Sequence, residues 1–357
     1  MKPVRAALLA WYRENRRDLP WRRTRDPYAI WLSEAMLQQT RVETVIPYWK
    51  RFLERFPDVA SLAAAEQDDV LGLWAGLGYY SRARNLHRAA GEVVARHGGA
   101  LPRDVDALRE LSGVGRYTAG AVASIAFDLP EPVVDGNVIR VLSRLRGIRE
   151  DIGAPAVLAR IWDEAGELAR GDAPGDLNQA LMELGATVCS PRAPRCARCP
   201  IARHCDAHAA GDAEQLPVKA PRGKPRRVEG VAAWVVRRGR VLAVRRPERG
   251  LLGGLWDLPG GGLAEREKPA AGVARALAER VGLAPSALRP VGAVEHVFTH
   301  RALRLHVFAG GAPAGRVRRD GYDAHRWVGA EDFGVLPHGA VTRKALELVR
   351  TSGSCSK

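Results

Sequence analysis

The chain has 357 residues, a formal net charge of +15 and 46% hydrophobic residues, enough for two domains with separate cores. No apolar run is long enough to span a bilayer, and the first ten residues carry no charged-then-apolar leader. The expectation is a protein of a reducing compartment, the cytoplasm, with no membrane partner, in which disulfides are the weaker use of cysteine. So basic a chain suggests a polyanionic partner, because each Lys or Arg that meets a phosphate releases a condensed counterion. A genome rich in Ala, Gly and Arg codons would give the same skew.

In chain order, residues 1–206 read as helical. Apolar residues recur at three and four, as in Leu62, Val70, Leu73, Trp74 and Leu77, and again in Leu158, Ile161, Trp162, Ala165 and Leu168. Within this half, Leu108 and Leu111 close one helix, Gly113-Val114-Gly115 form a tight turn, and another helix runs from Tyr117 to Phe127. Two glycines let backbone amides approach a ligand, and the positive end of the following helix favours an anion there. A G-x-G turn is also a common plain connection between helices. Asp135 stands just before a helix that begins near Asn137, where an Asp is an ordinary cap.

Cys189, Cys196, Cys199 and Cys205 follow with spacing C-x6-C-x2-C-x5-C, and the fifth cysteine, Cys355, lies far off in the tail. Four clustered thiols suit a structural zinc or a [4Fe-4S] cluster. Zinc ribbons pair two short C-x2-4-C units, and only Cys196 with Cys199 forms one, so the spacing leans toward the cluster and leaves zinc open. QLPVKAPRGKPRRV (215–228) is Pro-rich and basic without an apolar period, which predicts a linker. Beyond it, VAAWVV, RVLAVRR and LRLHVFAG are β-branched runs bounded by turn residues, hence strands.

The motifs L-x-G-V-G-x-Y-T-A-x-A, V-D-G-N-V-x-R-V and C-x6-C-x2-C-x5-C, in that order, resemble the helix-hairpin-helix DNA glycosylases that carry an iron-sulfur cluster. WLSEAMLQQTRVETVIPYW (31–49) and AGLGYYSRARNLH (75–87) resemble the MutY branch, whose members remove adenine mispaired with 8-oxoguanine. The resemblance runs from about Trp11 to Cys205 and resumes in the C-terminal half; Ser112 departs from it, standing where the family usually has proline. It implies an all-α catalytic domain with an iron-sulfur module (1–212), a linker (213–228) and an α+β Nudix-like domain (229–350). It also implies a [4Fe-4S] cluster on Cys189, Cys196, Cys199 and Cys205, a monomer, and double-stranded DNA containing A:8-oxoguanine or A:G mispairs as partner.

Cutting an N-glycosidic bond calls for an acid that improves the leaving base and a carboxylate that stabilises the sugar's oxocarbenium-like charge. By resemblance Glu34 is the acid, which needs an apolar pocket to raise its pKa. Asp135 is the stabiliser or transient nucleophile, and Tyr117 and Asn137 hold the geometry. Gly113 and Gly115 contact the DNA backbone. Gln39, Thr40 and Tyr79 match wedge and duplex-contact positions; Arg17, Leu19 and Trp21, joined by Gln179, match an adenine pocket. The bifunctional endonuclease III type needs an amine for a Schiff base. Its lysine is replaced here by Tyr117, and no lysine occurs between Lys50 and Lys219, so monofunctional chemistry is expected. A non-catalytic iron-sulfur DNA-binding protein is the further alternative, opposed by the presence of both Glu34 and Asp135.

RRPERGLLGGLWDLPGG (245–261) resembles the Nudix-like domain of the same branch. Against a hydrolytic Nudix box starting at Gly261, the chain keeps Glu267, Arg275 and Glu279 but has Ala276 and Arg280 where two glutamates belong. A site short of two carboxylates should not assemble its metal. The domain is therefore expected to read the base opposite adenine, through a tip at Phe298-Thr299-His300 that otherwise reads as a plain hairpin.

Overall fold

A computed structural model describes residues 1–220, 223, 225–248, 250, 252–298, 301–312 and 316–353. Thr299, His300 and Cys355, all singled out above, lie outside the described residues. The chain divides into two units, one of Met1–Ala65 with Asn85–Arg222, the other of Glu66–Arg84 with Gly223–Lys357. The helical segment Glu66–Arg84 thus groups with the C-terminal sequence, although its periodicity is that of the helical half.

The helices in chain order are α1 (Lys2–Asn15), α2 (Pro27–Leu37), α3 (Val42–Arg55), α4 (Val59–Ala63), α5 (Gln67–Trp74), α6 (Ser81–His97), α7 (Val105–Arg109), α8 (Arg116–Phe127), α9 (Gly136–Leu145), α10 (Pro155–Ala169), α11 (Pro174–Thr187) and α12 (Asp206–Ala210). In the first unit α1, α9, α10 and α11 share one core, in which Leu8, Leu142, Ile161, Leu177 and Leu184 are fully buried. A second cluster joins Ile30 of α2 to Ala121 and Ile125 of α8. Two glycines permit close approaches between these helices and their turns. Gly113, at φ +76°, lies so close to Asn85 that a Cβ would stand 2.5 Å from its Cβ, which makes the turn before α8 a glycine position. At Gly185 on α11 a Cβ would meet that of Asn137 at 2.6 Å, so the glycine lets α9 come down onto α11.

The second unit contains β1 (Arg226–Arg237), β2 (Arg240–Arg245), β3 (Trp256–Asp257), β4 (Gly260–Gly262), α13 (Pro269–Val281), β5 (Ser286–Val297), β6 (Arg301–Gly311), β7 (Ala324–Val328), α14 (Ala330–Val335) and α15 (Ala340–Thr351). The sheet runs β3-β2-β1-β6-β5, with β4 paired to β1 and β7 to β2. It is mixed: β1 and β6 are parallel from Arg226↔Arg301 to Val236↔Gly311, and the other named pairs are antiparallel. Strand alternation sends Val231, Ala233 and Val235 into the core under α13, and Ala232 and Trp234 into the opposite core with α14 and α15. The central strand is therefore buried on both faces, as a strand between two helical layers must be. β1 starts at Arg226, inside the segment expected to be linker, because its basic end pairs with the start of β6. The hairpin reading of 295–308 holds: β5 and β6 are antiparallel, and the Phe298 N–H donates to the Arg301 carbonyl at 2.7 Å.

Candidate active site

α2 places the proposed acid. Asp26 caps it, accepting from the amides of Tyr28 and Ala29, and every residue from Tyr28 to Met36 is buried. A helix apolar on all sides belongs inside the protein, and Glu34 goes in with it, 5% exposed. Burial pushes its carboxyl up to about 7; the hydrogen bond from Tyr117 and the charge of Arg22 pull down, and Asp135 pushes up. The Tyr117 hydroxyl donates to Glu34 Oε2 at 2.7 Å. Its own pKa is held well above the ordinary tyrosine value by burial and by the neighbouring acids.

Asp135 is the N-cap of α9. Its Oδ1 accepts from the amides of Asn137 (2.9 Å) and Val138 (2.7 Å), and its Oδ2 from Asn137 Nδ2 (2.9 Å). The cap fixes one orientation of this carboxylate. Asn137 is itself held by Arg140, whose Nη2 donates to Asn137 Oδ1 (2.8 Å) and to the Gly185 carbonyl (2.7 Å), while Nε donates to the Cys189 carbonyl (2.7 Å).

Glu34, Tyr117, Asp135 and Asn137 line one cavity of about 330 Å³ together with Arg17, Leu19, Trp21, Thr40 and Gln179, near the lower end of ligand-pocket size. Nine of the residues singled out in the sequence thus meet here. Arg22, Met182 and Glu183 line it as well and were not anticipated. Gln39 is exposed on left-handed backbone at φ 58° between α2 and α3, an uncommon conformation outside glycine. Gly113 and Gly115 form the turn before α8, with Gly115 its N-cap. Where the family usually has proline, the Ser112 amide and hydroxyl both donate to the Glu92 carboxylate, at 2.8 and 2.6 Å, and tether that turn.

In the second unit Tyr79 and Phe298 line a cavity of about 770 Å³ with Arg84 and Arg301. Tyr79 is 49% exposed at φ 47°. Tyr80 is buried and donates to the His338 carbonyl at 2.9 Å, a structural role. The Nudix-box remnants are committed to one another: Arg275 binds Glu267 (2.8 Å) and Glu279 (3.0 Å), and holds the Glu267 carboxyl down near 2. Ala276 is packed in the core, and Arg280 donates to the carbonyls of Gly260 and Gly321 over the ring of Tyr322.

Cys189, Cys196, Cys199 and Cys205 are free, half-buried, and line one small space with Arg144. Arg144, 1% exposed, points Nη1 at Cys189 Sγ (3.2 Å), and backbone amides reach the sulfurs of Cys199 and Cys205. Burial holds the Cys199 and Cys205 thiols above their ordinary value, Cys199 at about 11, and these donors pull the other way; four sulfurs around one space with donors turned toward them suit a thiolate-ligated group. Among the described residues, no three His, Cys, Asp or Glu side chains are set to hold a single metal ion.

Residues 32–166 match the model of the HhH-GPD superfamily of base excision DNA repair proteins, and residues 231–348 that of the NUDIX domain. The chain is therefore a helix-hairpin-helix glycosylase-type domain joined to a Nudix-like one. Human adenine DNA glycosylase is 38% identical over 97% of this chain and 73% of its own length, and the rat enzyme 39% identical over 92% and 74%. The solved structure of a thermostable thymine-DNA glycosylase matches with TM-score 0.54 and 30% identity, over 58% of this chain and 96% of that one. The chain belongs to the adenine DNA glycosylase family. No helix among the described residues is long and apolar enough to cross a membrane.

Proposed function

We propose that the protein hydrolyses the N-glycosidic bond of adenine mispaired with 8-oxoguanine, or with guanine, in double-stranded DNA, without an efficient lyase step. The observation that carries this reading is a buried glutamic acid with a pKa of about 7 that shares one base-sized cavity with a capped aspartate. The adenine has to leave the helical stack to enter that cavity. Trp21 and Leu19 offer it apolar faces, and Arg17 and Gln179 offer donors. Glu34, half protonated near neutral pH, gives its proton to N7 and makes adenine a neutral leaving group. Asp135 stabilises the oxocarbenium-like sugar, and water completes the hydrolysis. Tyr117 holds the Glu34 carboxyl in place; it is a phenol and forms no Schiff base.

The four cysteines would hold a [4Fe-4S] cluster, the reading toward which their C-x6-C-x2-C-x5-C spacing leans. The cluster would anchor the loop carrying Arg192, Arg195, Arg198 and Arg203, whose charges suit phosphate binding. In the C-terminal unit, carboxylates tied to Arg275 suit a reader rather than a hydrolase. Tyr79 and Phe298 in one cavity suit the base opposite adenine.

A duplex labelled on the adenine strand tests the reading. Scission of A:8-oxoguanine only after alkali or heat supports it. Scission without alkali, with borohydride trapping in the helical unit, would assign the bifunctional chemistry instead.

A further inference from the structure

The side of the base cavity formed by α11 and the turn before α2 carries an ion cluster centred on Glu183, a residue that the mechanism above does not use. Glu183 has a fully buried side chain, yet accepts from four donors on one stretch of chain. Its Oε1 takes the Arg17 amide (3.1 Å) and Nε (2.8 Å), and its Oε2 takes Arg17 Nη2 (2.9 Å) and Arg22 Nη2 (2.9 Å). Arg22 also donates to the Arg17 carbonyl at 3.1 Å, closing the triangle. The Arg17 side chain remains 38% exposed, and Arg22 only 10%. All three residues line the same cavity as Glu34. A bidentate arginine–carboxylate pair has a fixed geometry, and a buried carboxylate with this many donors is worth keeping only where its charge or its aim matters.

We propose that Glu183 is a positioning residue of the base pocket: it fixes the Arg17 and Arg22 guanidinium groups at the wall and offsets the positive charge that Arg22 sets beside Glu34. The proposal rests on the adenine-excision reading. An acid that must carry a proton near neutral pH is poorly served by an uncompensated cation beside it, because the cation favours its ionised form. Arg22 already acts on Glu34 in that direction. The other groups facing Glu34 are the Tyr117 hydroxyl on α8 and Asp135 at the start of α9; Arg41 and Glu43, around the start of α3, line the same cavity. Among the carboxylates of the described residues, only Glu183 is bonded to both arginines. It therefore sets the balance between purine-binding donors and a protonatable acid.

Single-turnover adenine release from an A:8-oxoguanine duplex, measured from pH 5 to 9, reads this directly. The wild-type curve tests the underlying reading by itself, since an enzyme that releases no adenine ends that reading before any variant is made. Glu183→Gln keeps shape and removes charge, and should shift the rate midpoint down by about one pH unit. Arg22→Gln should shift it up, and the double variant should return it close to wild type. A Glu183→Gln enzyme that loses rate equally at every pH, with its midpoint unmoved, has lost only structure, and the proposal fails. Should Glu183→Gln not fold, Arg22→Gln alone decides: an unmoved midpoint overturns the proposal.

Discussion

Replacing Glu34 by Gln should stabilise the protein at alkaline pH while removing its activity. In the unfolded chain this carboxyl titrates at its ordinary 4.5, and in the folded protein at about 7. Between those values the native state holds a proton that the unfolded state has released, so stability is greatest below pH 4.5 and is lost as pH rises through 7. At about 1.4 kcal/mol per pH unit, the ionised Glu34 costs the fold about 3 kcal/mol at pH 8. Gln keeps a carbonyl for the Tyr117 hydroxyl and never ionises. Urea unfolding at pH 5 and pH 8.5 should show the variant gaining on wild type by up to about 3 kcal/mol at the higher pH, and by little at the lower. A difference between the two proteins that does not change with pH would refute the buried-acid account, whatever the variant's activity.

Asp135→Asn should abolish base removal and leave duplex affinity nearly intact, because the carboxylate matters most when charge develops on the sugar; substantial single-turnover release would remove it from that role. Tyr117→Phe deletes a hydrogen bond worth about 0.5–1.5 kcal/mol that favours the ionised Glu34, so the pH midpoint of excision should move up by up to about one unit, read by the same assay. Purified protein should be brown, with broad absorbance near about 400 nm from thiolate-ligated iron, and Cys199→Ser should lower that absorbance; colourless, active protein with stoichiometric zinc would overturn the assignment. Thr299→Ala with His300→Ala should erode the preference for 8-oxoguanine over guanine more than either change alone, because one hydroxyl hydrogen bond is worth only a few-fold to about ten-fold. Equal loss on both duplexes would make the tip a general DNA contact.

Glu34, Tyr117 and Asp135 are legible in the sequence because each sits in a run whose neighbours are distinctive, and the fold brings all three to one cavity. Glu183 is not. In ALMELGA it has the look of a solvated helical acid, and only the burial of nearly the whole of α11 shows that its charge must be answered from inside. A glutamate four residues after Gln179, and so on the same helical face, was the available signal. Its partner Arg22 is one of several arginines in RRDLPWRRTR, and nothing in that run tells which guanidinium turns inward. Periodicity also assigns Glu66–Arg84 to the helical half, since local pattern carries no record of which sequence-distant partner an apolar face will meet. The alternation of β1 gives the strand, while its basic beginning is strand only because β6 lies parallel to it from Arg301 on.

The central claim, that a buried Glu34 delivers the proton to a departing adenine, is tested most directly by the rate of adenine release in a single turnover as a function of pH. The account predicts a rate that falls as pH rises through about 7, where the Glu34 carboxyl loses its proton. A rate that stays level or climbs across that interval would contradict it.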